Sequence, residues 1–369
     1  MIPMKVLSFG LDSSVLNRES LLAGRVVEYG ELVEKYTVAA PGLKDEEISL
    51  SGRVRIYGVG GCCRIWKLLK IYFRAKKILQ AEKYDVLTVQ DSYYLALIGW
   101  RLAEKFNIGL ELQIHGFEKF VGLRKLIAKF IVPRADAIRT VSQRLKKQLI
   151  EEFGVAEGKI TVVPIYVESR IKNYELRIKN NSEKFIFLTV GRLVPVKNIN
   201  LQIEVMEEIV ESLKLKVKSL RIELWIVGSG PERKNYELRI TNYELGKNIK
   251  LLGRKDNLDE YYNSADVFLL TSNSEGWGLS VIEAASYGLP IIMTDVGLAG
   301  EVIKNNESGL VIPVGDKEKL IEAMEKIIID KNLRKRLGSG AQAAIKKLLS
   351  KEKTLELYKK SWQKAAVKL

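Results

Sequence analysis

Short, nearly continuous apolar runs alternate along this chain with longer amphipathic stretches. That alternation constrains the fold more than any other feature. A continuous apolar run reads as a strand buried on both faces, and an amphipathic stretch reads as a helix laid across it. In the first half the runs place strands at Lys5–Phe9, Tyr36–Ala39, Val86–Val89, Gly109–Ile114, Ala137–Thr140 and Ile160–Val163. In the second half they fall at Phe185–Val190, Arg221–Val227, Ile249–Leu252, Val267–Leu270, Pro290–Thr294 and Gly309–Val311. The pattern predicts an α/β chain with parallel sheets covered by helices. At 369 residues it is too long for one ordinary core. The polar stretch Glu168–Glu183 separates the two sets of strands. The expected division is a Rossmann-like domain over residues 1–168, a linker or insertion over 169–183, a second Rossmann-like domain over 184–350, and a terminal helix over 351–369.

No apolar run reaches the roughly 18–20 residues that a bilayer-spanning helix needs. The opening MIPMKVLSFGL carries neither a charged leader region nor a small-residue cleavage site, so it reads as the first buried strand and a cytoplasmic location is expected. Cys62 and Cys63 are adjacent and have no other cysteine to pair with, which excludes a disulfide framework and a cysteine-rich zinc site. The net charge of +15 implies attraction to something anionic: nucleic acid, an acidic membrane surface or a phosphorylated substrate.

Two segments in the second half narrow that choice. Val190-Gly191-Arg192-Leu193-Val194-Pro195-Val196-Lys197 follows a strong apolar strand and precedes a helix starting near Asn198–Asn200. Glycine at a strand end lets backbone approach a ligand closely, and Arg192 and Lys197 put two cations where open α/β sheets bind ligands. Such a pair suits a diphosphate, although two solvated surface cations give the same sequence. The second segment, Ser274-Glu275-Gly276-Trp277-Gly278-Leu279-Ser280-Val281-Ile282-Glu283, runs from another strand through glycines into a helix. Backbone N–H groups at a helix start form an anion site. Two carboxylates, one before the helix and one inside it, are acceptors for sugar hydroxyls.

With these residues the chain resembles glycosyltransferase family 4, whose signature is Glu-x7-Glu; Glu275 and Glu283 match it. The family's Gly-Arg…Lys element matches Gly191, Arg192 and Lys197. Trp225–Pro231, containing Gly228, is similar to its Gly-x-Gly-Pro turn, and Leu252-Gly253-Arg254 and Tyr261–Thr271 are similar to the segments leading to the glutamate loop. The resemblance implies the GT-B architecture, two Rossmann-like parallel-sheet domains facing a central cleft, with the N-terminal domain on the acceptor side and the terminal helix, 351–369, crossing back to that domain. It implies that Arg192 and Lys197 neutralise the donor diphosphate, that Glu275 contacts the transferred sugar and Glu283 the ribose, and that backbone near Gly276, Trp277, Gly278 and Leu279 caps the distal phosphate. Arg254–Leu258 would flank the base. Retention of anomeric configuration is implied by the family alone. Asp-x-Asp is absent from the sequence, so a carboxylate-held metal is not expected. A UDP- or GDP-sugar is expected as substrate, with no cofactor.

In the first half, the only histidine, His115, ends the strand Gly109–Ile114 and precedes Gly116. A lone histidine is often structural, but the resemblance implies an imidazole that reaches the donor sugar. A neutral ring can accept from or donate to a hydroxyl, and an imidazole ordinarily titrates near neutrality. The first loop departs from the family, with the single Gly10 where relatives carry a glycine pair. From Cys62 to Lys83 there are seven Lys or Arg against one Glu. Lys67, Lys70, Arg74 and Lys77 are expected on one helical face, with Ile65, Leu68, Leu69 and Tyr72 opposite. A second basic stretch, Lys119–Arg134, mixes Arg124, Lys125 and Lys129 with Phe120, Leu126, Ile127 and Phe130. Such helices fit either a sheet cover with a cationic face or a peripheral contact with an anionic membrane. The sequence NYELRI occurs at Asn173–Ile178 and again at Asn235–Ile240, with a partial copy at Asn242–Leu245. One copy lies in the expected linker and the others where a surface helix or loop would join two strands. The bland reading is a duplicated element tolerated at exposed positions, and the alternative is a recognition role.

The expected activity is sugar transfer from a nucleotide diphosphate to an acceptor hydroxyl, the acceptor being a glycan or lipid-linked; nucleic acid is not an expected partner. The competing readings are a basic membrane- or nucleic-acid-binding protein on this fold, and a sugar-nucleotide enzyme such as an epimerase.

Overall fold

The computed structural model describes residues 4–116, 122–167, 183–216 and 220–367, without side chains at 213–216. It divides into two compact units, Met1–Pro164 with Leu349–Leu369, and Ile165–Leu348.

The first unit runs β1 (Lys5–Phe9), α1 (Leu21–Glu31), β2 (Lys35–Pro41), β3 (Glu46–Ser49), β4 (Val54–Val59), α2 (Arg64–Ala81), β5 (Val86–Val89), α3 (Tyr94–Phe106), β6 (Gly109–Ile114), α4 (Gly122–Ile131), β7 (Ala137–Thr140), α5 (Gln143–Phe153) and β8 (Ile160–Val162). These strands form one sheet in the order β3-β4-β2-β1-β5-β6-β7-β8. It is parallel except for β3, which pairs antiparallel with β4. Sequence patterning missed the β3–β4 hairpin. β3 is an edge strand whose residues alternate between half-buried and exposed, so it lacks the continuous apolar run that marks the others.

The second unit runs β9 (Lys184–Val190), α6 (Ile199–Lys216), β10 (Arg221–Val227), α7 (Arg233–Asn242), β11 (Ile249–Gly253), α8 (Asp259–Ser264), β12 (Val267–Leu270), α9 (Leu279–Ser286), β13 (Ile291–Thr294), β14 (Leu310–Ile312), α10 (Lys317–Ile329) and α11 (Lys331–Ile345). Its sheet is parallel, in the order β11-β10-β9-β12-β13-β14. Both units are therefore Rossmann-like, a parallel sheet with helices packed over it. The last helix, α12 (Lys351–Ala366), belongs to the first unit.

In the first unit α2–α5 cover one face of the sheet, around Ile71, Leu102, Ile131 and Leu149, while α1 and α12 cover the other through Val26, Trp362 and Ala365. A Cβ at Gly109 would meet the Ala365 carbonyl oxygen at 1.9 Å, so the end of α12 rests directly on the backbone of β6. Among the described residues no helix is long and apolar enough to cross a membrane.

Two expectations are corrected here. The second NYELRI copy lies in α7, a helix joining β10 to β11 as expected, with Asn235, Glu237 and Leu238 exposed. Its positions are not all exposed, however, because Tyr236 and Ile240 are buried in the core of the unit. The first copy and all of the polar stretch except Glu183 lie outside the described residues, as do Lys119 and Phe120. The faces of α2 also differ from the helical-wheel expectation. Lys67 donates to the Gly42 carbonyl at 2.9 Å, and Lys70 to Asp45 at 2.7 Å and to the Gly60 carbonyl at 3.0 Å. Arg74 lies 5.2 Å from the Tyr57 ring centroid. These cations turn sideways onto β4 and its flanking loops, while Ile65, Trp66, Leu69 and Phe73 are exposed.

Candidate functional site

In the second unit the candidate residues gather at the C-terminal ends of β9, β10 and β12. Two turns are locked backbone to backbone: Gly191 N–H donates to Val227 O (3.0 Å) and Leu193 N–H to Ser229 O (2.9 Å). Gly228 has φ +147°, and a Cβ there would fall 1.8 Å from the Gly191 carbonyl oxygen; at Gly230 a Cβ would fall 2.2 Å from that of Leu193. Glycine is thus required at 228 and 230 by close packing. Gly191 is different. The nearest atom to an added Cβ is Lys197 Cε at 3.7 Å, an ordinary contact.

After this turn the chain passes through Asn198 in the left-handed region (φ 45°) and enters α6. Lys197 Nζ donates to Glu275 Oε1 at 2.5 Å, and Ser272 Oγ donates to the same oxygen at 2.6 Å. The two charged side chains are 19% and 10% exposed. A buried polar chain holds them together. Thr189 Oγ1 donates to Gln202 Oε1 (2.7 Å), Gln202 Nε2 donates to Thr271 Oγ1 (2.8 Å), and Thr271 Oγ1 donates to the Asn198 carbonyl (3.1 Å). Asn273 N–H reaches the Val196 carbonyl at 2.8 Å, and Thr294 Oγ1 donates to the Ser272 carbonyl at 2.7 Å. Sequence reasoning missed this support. The available signal was a hydroxyl or amide within or next to an apolar segment, at Thr189, Gln202 and Thr271.

The glutamate loop then turns through Gly278 (φ +107°) into α9. Beneath it lies Gly297 (φ +56°), where a Cβ would meet the Trp277 carbonyl at 2.4 Å and Glu275 Cβ at 2.9 Å. Leu298 N–H donates to that carbonyl at 3.0 Å. Trp277 is buried, and its indole Nε1 has no hydrogen-bond partner among the described residues. No side chain caps the start of α9 at Leu279. The first N–H groups of a helix have no intrahelical acceptor, so this start is suited to an anion.

Glu283, one turn into α9, is half-buried and accepts a hydrogen bond from Tyr262 Oη at 2.8 Å. Burial raises its carboxyl above the usual range, with the Tyr262 bond acting the other way. Tyr262 in turn stacks on Tyr287, with ring centroids 5.0 Å apart. Arg192 and Arg254 are exposed. Arg192 has no carboxylate partner among the described residues, and Arg254 lies 3.8 Å from Asp256. The arrangement gathers cations, carboxylates and a helix start without a side-chain cap at the ends of these strands. Among the described residues no three His, Cys, Asp or Glu side chains gather as a metal's ligands would.

In the first unit Gly10 and His115 lie at the C-terminal edge of the sheet, ending β1 and β6. A Cβ at Gly10 would meet only Val38 Cγ1, at 4.0 Å, so no packing demand calls for glycine there. His115 is half-buried, and that burial, with the Arg139 guanidinium adding to it, pushes its imidazole down to about 4. It is neutral throughout the physiological range, which corrects the expectation of a ring titrating near neutrality.

Comparison with known proteins adds the lineage of these features. A family model described as "Glycosyl transferases group 1" matches residues 172–344, and one described as "Glycosyltransferase Family 4" matches residues 31–169. The capsular polysaccharide biosynthesis glycosyltransferase CapM of Staphylococcus aureus is 28% identical over 66% of this chain and 65% of its own length, just under two thirds. The UDP-Gal:alpha-D-GlcNAc-diphosphoundecaprenol alpha-1,3-galactosyltransferase of Escherichia coli is 29% identical over 79% of this chain and 81% of its own. Among solved structures, Anabaena HepE in complex with UDP superposes with a TM-score of 0.74 at 17% identity, covering 98% of this chain and 100% of HepE. That likeness establishes the GT-B fold.

Proposed function

This chain belongs to glycosyltransferase family 4, and from that premise we propose that it is a hexosyl-type transferase moving a sugar from a nucleotide diphosphate to an acceptor hydroxyl, with retention and without a metal, in glycan, polysaccharide or glycolipid synthesis. The observation that carries this reading is the Lys197–Glu275 pair, held by buried hydrogen bonds beside the uncapped start of α9. A departing nucleoside diphosphate gathers negative charge in the transition state, and fixed cations and N–H donors placed there stabilise it without reorganising. Arg192 and Lys197 take the diphosphate, the backbone at Gly278 and Leu279 caps it, and Glu275 accepts from the sugar hydroxyls. Donor entry exchanges the Lys197–Glu275 contact for contacts to the ligand, so neither charge is left alone in the empty site. Glu283, oriented by Tyr262, accepts from the ribose. His115, neutral, holds a sugar hydroxyl.

A uridine donor is supported by the UDP-galactose that the E. coli relative uses and by the UDP bound to HepE. GDP-sugars remain within the same chemistry. The diphosphoundecaprenol acceptor of the E. coli enzyme supports a lipid-linked acceptor here, with the protein held peripherally on the inner face of the membrane.

The test is donor turnover in EDTA. Nucleoside diphosphate release from one class of sugar nucleotide is expected, falling about tenfold to a hundredfold in Lys197→Ala, the effect of losing one charge-assisted hydrogen bond. Equal turnover in the variant would remove the proposed site.

A further inference from the structure

We propose that the N-terminal halves of α2 and α4 form a docking face for an anionic lipid bilayer. A helix that covers a sheet ordinarily turns its apolar residues inward and its charges to solvent. On α2 the sheet-facing work is done by Ile71, Ala75 and Leu79, yet Ile65, Leu69 and Phe73, one turn apart, point outward with Trp66 beside them. Ile65 is 72% and Phe73 61% exposed. The cations that would normally shield such a stripe are engaged elsewhere, Lys67 and Lys70 in hydrogen bonds and Arg74 over Tyr57. On α4, Leu123 and Leu126 are 62% and 67% exposed on a helix whose buried contacts are made by Ala128 and Ile131.

Topology puts these stripes on one edge. α2 leaves the C-terminal end of β4, and α4 follows the C-terminal end of β6. Both strands belong to the parallel part of the sheet, so both helix starts lie at the edge that carries Gly10 and His115. Leu43, 99% exposed in the loop after β2, lies on the same edge. Helix α3 packs between α2 and α4 and makes the three a continuous layer.

Charge selects the occupant. Neither α2 nor α4 contains an acidic residue, and Arg64, Lys77, Lys125 and Lys129 are exposed on them. Apolar side chains ringed by cations match acyl chains beneath anionic headgroups. A second copy of a chain with net charge +15 would set cations against cations, and a nucleic acid would leave the apolar stripe in water. The purpose of the face rests on the lipid-linked acceptor proposed above. Docked this way, the sheet edge that receives the acceptor stands at the membrane surface.

The test is co-sedimentation of the full chain with vesicles of equal parts phosphatidylglycerol and phosphatidylcholine, and with phosphatidylcholine alone. Binding to the mixed vesicles is expected, with at least tenfold weaker partition for L69E/F73E and for L123E/L126E, and no change for Leu238→Glu, an exposed residue of the second unit. Each altered side chain is exposed, so unchanged melting temperatures are expected to confirm folding. Absence of binding to the anionic vesicles, or equal binding by both double variants, would overturn the proposal. So would a wild-type dimer that L69E/F73E converts to monomer, which would assign the face to a second copy. Donor turnover is measured on the same samples. Vesicle binding without turnover would count against the transferase reading and leave the docking face standing, and turnover without vesicle binding would do the reverse.

Discussion

Gly191 and Gly228 face each other across two locked turns, yet they answer to different demands. Gly228 has no room for a Cβ and a φ that other residues avoid; Gly191 has the room. Gly228→Ala is therefore expected to cost about 2 kcal/mol or more in stability by denaturant melts. Gly191→Ala is expected to melt within a few degrees of the wild type while weakening donor affinity, because only the ligand needs that space. Equal destabilisation by both would assign Gly191 to packing. The Gly-x-Gly-Pro turn was visible in the sequence, but nothing in its letters said that the steric partner was another glycine's carbonyl. His115 gives a second test at this scale. As the sole histidine, its C2–H resonance is assignable without mutation. Its midpoint is expected near 4, below the ordinary 6.5. A ring held neutral by the fold stabilises fully above 6.5 and loses that contribution as pH falls from 6.5 towards 4, because the unfolded chain then binds more protons. A midpoint near 6.5 would contradict the burial described for it.

Among the elements, α12 shows most clearly what patterning can and cannot supply. A helix over the last residues, 351–369, was legible in the sequence, and the structure shows Ser350 capping it. Its return to the N-terminal domain was implied by the family architecture, and α12 does belong to the first unit. The contacts that seat it were not legible, because they join residues far apart in sequence. Trp362 Nε1 donates to Glu111 at 3.1 Å, Arg139 lies 3.6 Å from the same carboxylate and 3.7 Å from the Tyr358 ring centroid, and Gly109 leaves space for the Ala365 carbonyl. Truncation in Trp362→Ala removes a fully buried ring and leaves Glu111 with one fewer donor. A loss of about 3–5 kcal/mol is expected in urea unfolding. A loss below about 1 kcal/mol would mean that α12 is an accessory and not part of the core. The β3–β4 hairpin and the outward apolar stripe of α2 escaped the sequence for a related reason. Amphipathicity reports that a helix has two faces, whereas the direction each face takes is set by the neighbours that capture its cations.

For the whole molecule, the order of motifs was the legible part. Strand-glycine-cation, glycine turn and glutamate loop follow one another at the ends of three strands that pack as neighbours, and that order led from sequence to family. For the buried Thr189–Gln202–Thr271 chain the sequence showed only polar side chains beside apolar segments; that they bond to one another emerges when β9, α6 and β12 are brought together. The central claim is that this second-unit site binds a nucleotide sugar through Lys197. Its most direct test is a thermal-shift series of the purified protein in EDTA against UDP-, GDP-, ADP- and TDP-sugars, for the wild type and Lys197→Ala. Saturating ligand at a hundred times its dissociation constant adds roughly 2.7 kcal/mol to the folded state. The account predicts a clear upward shift with one nucleotide class, UDP first, that is lost in Lys197→Ala. No shift with any sugar nucleotide, or an equal shift in the variant, would contradict it.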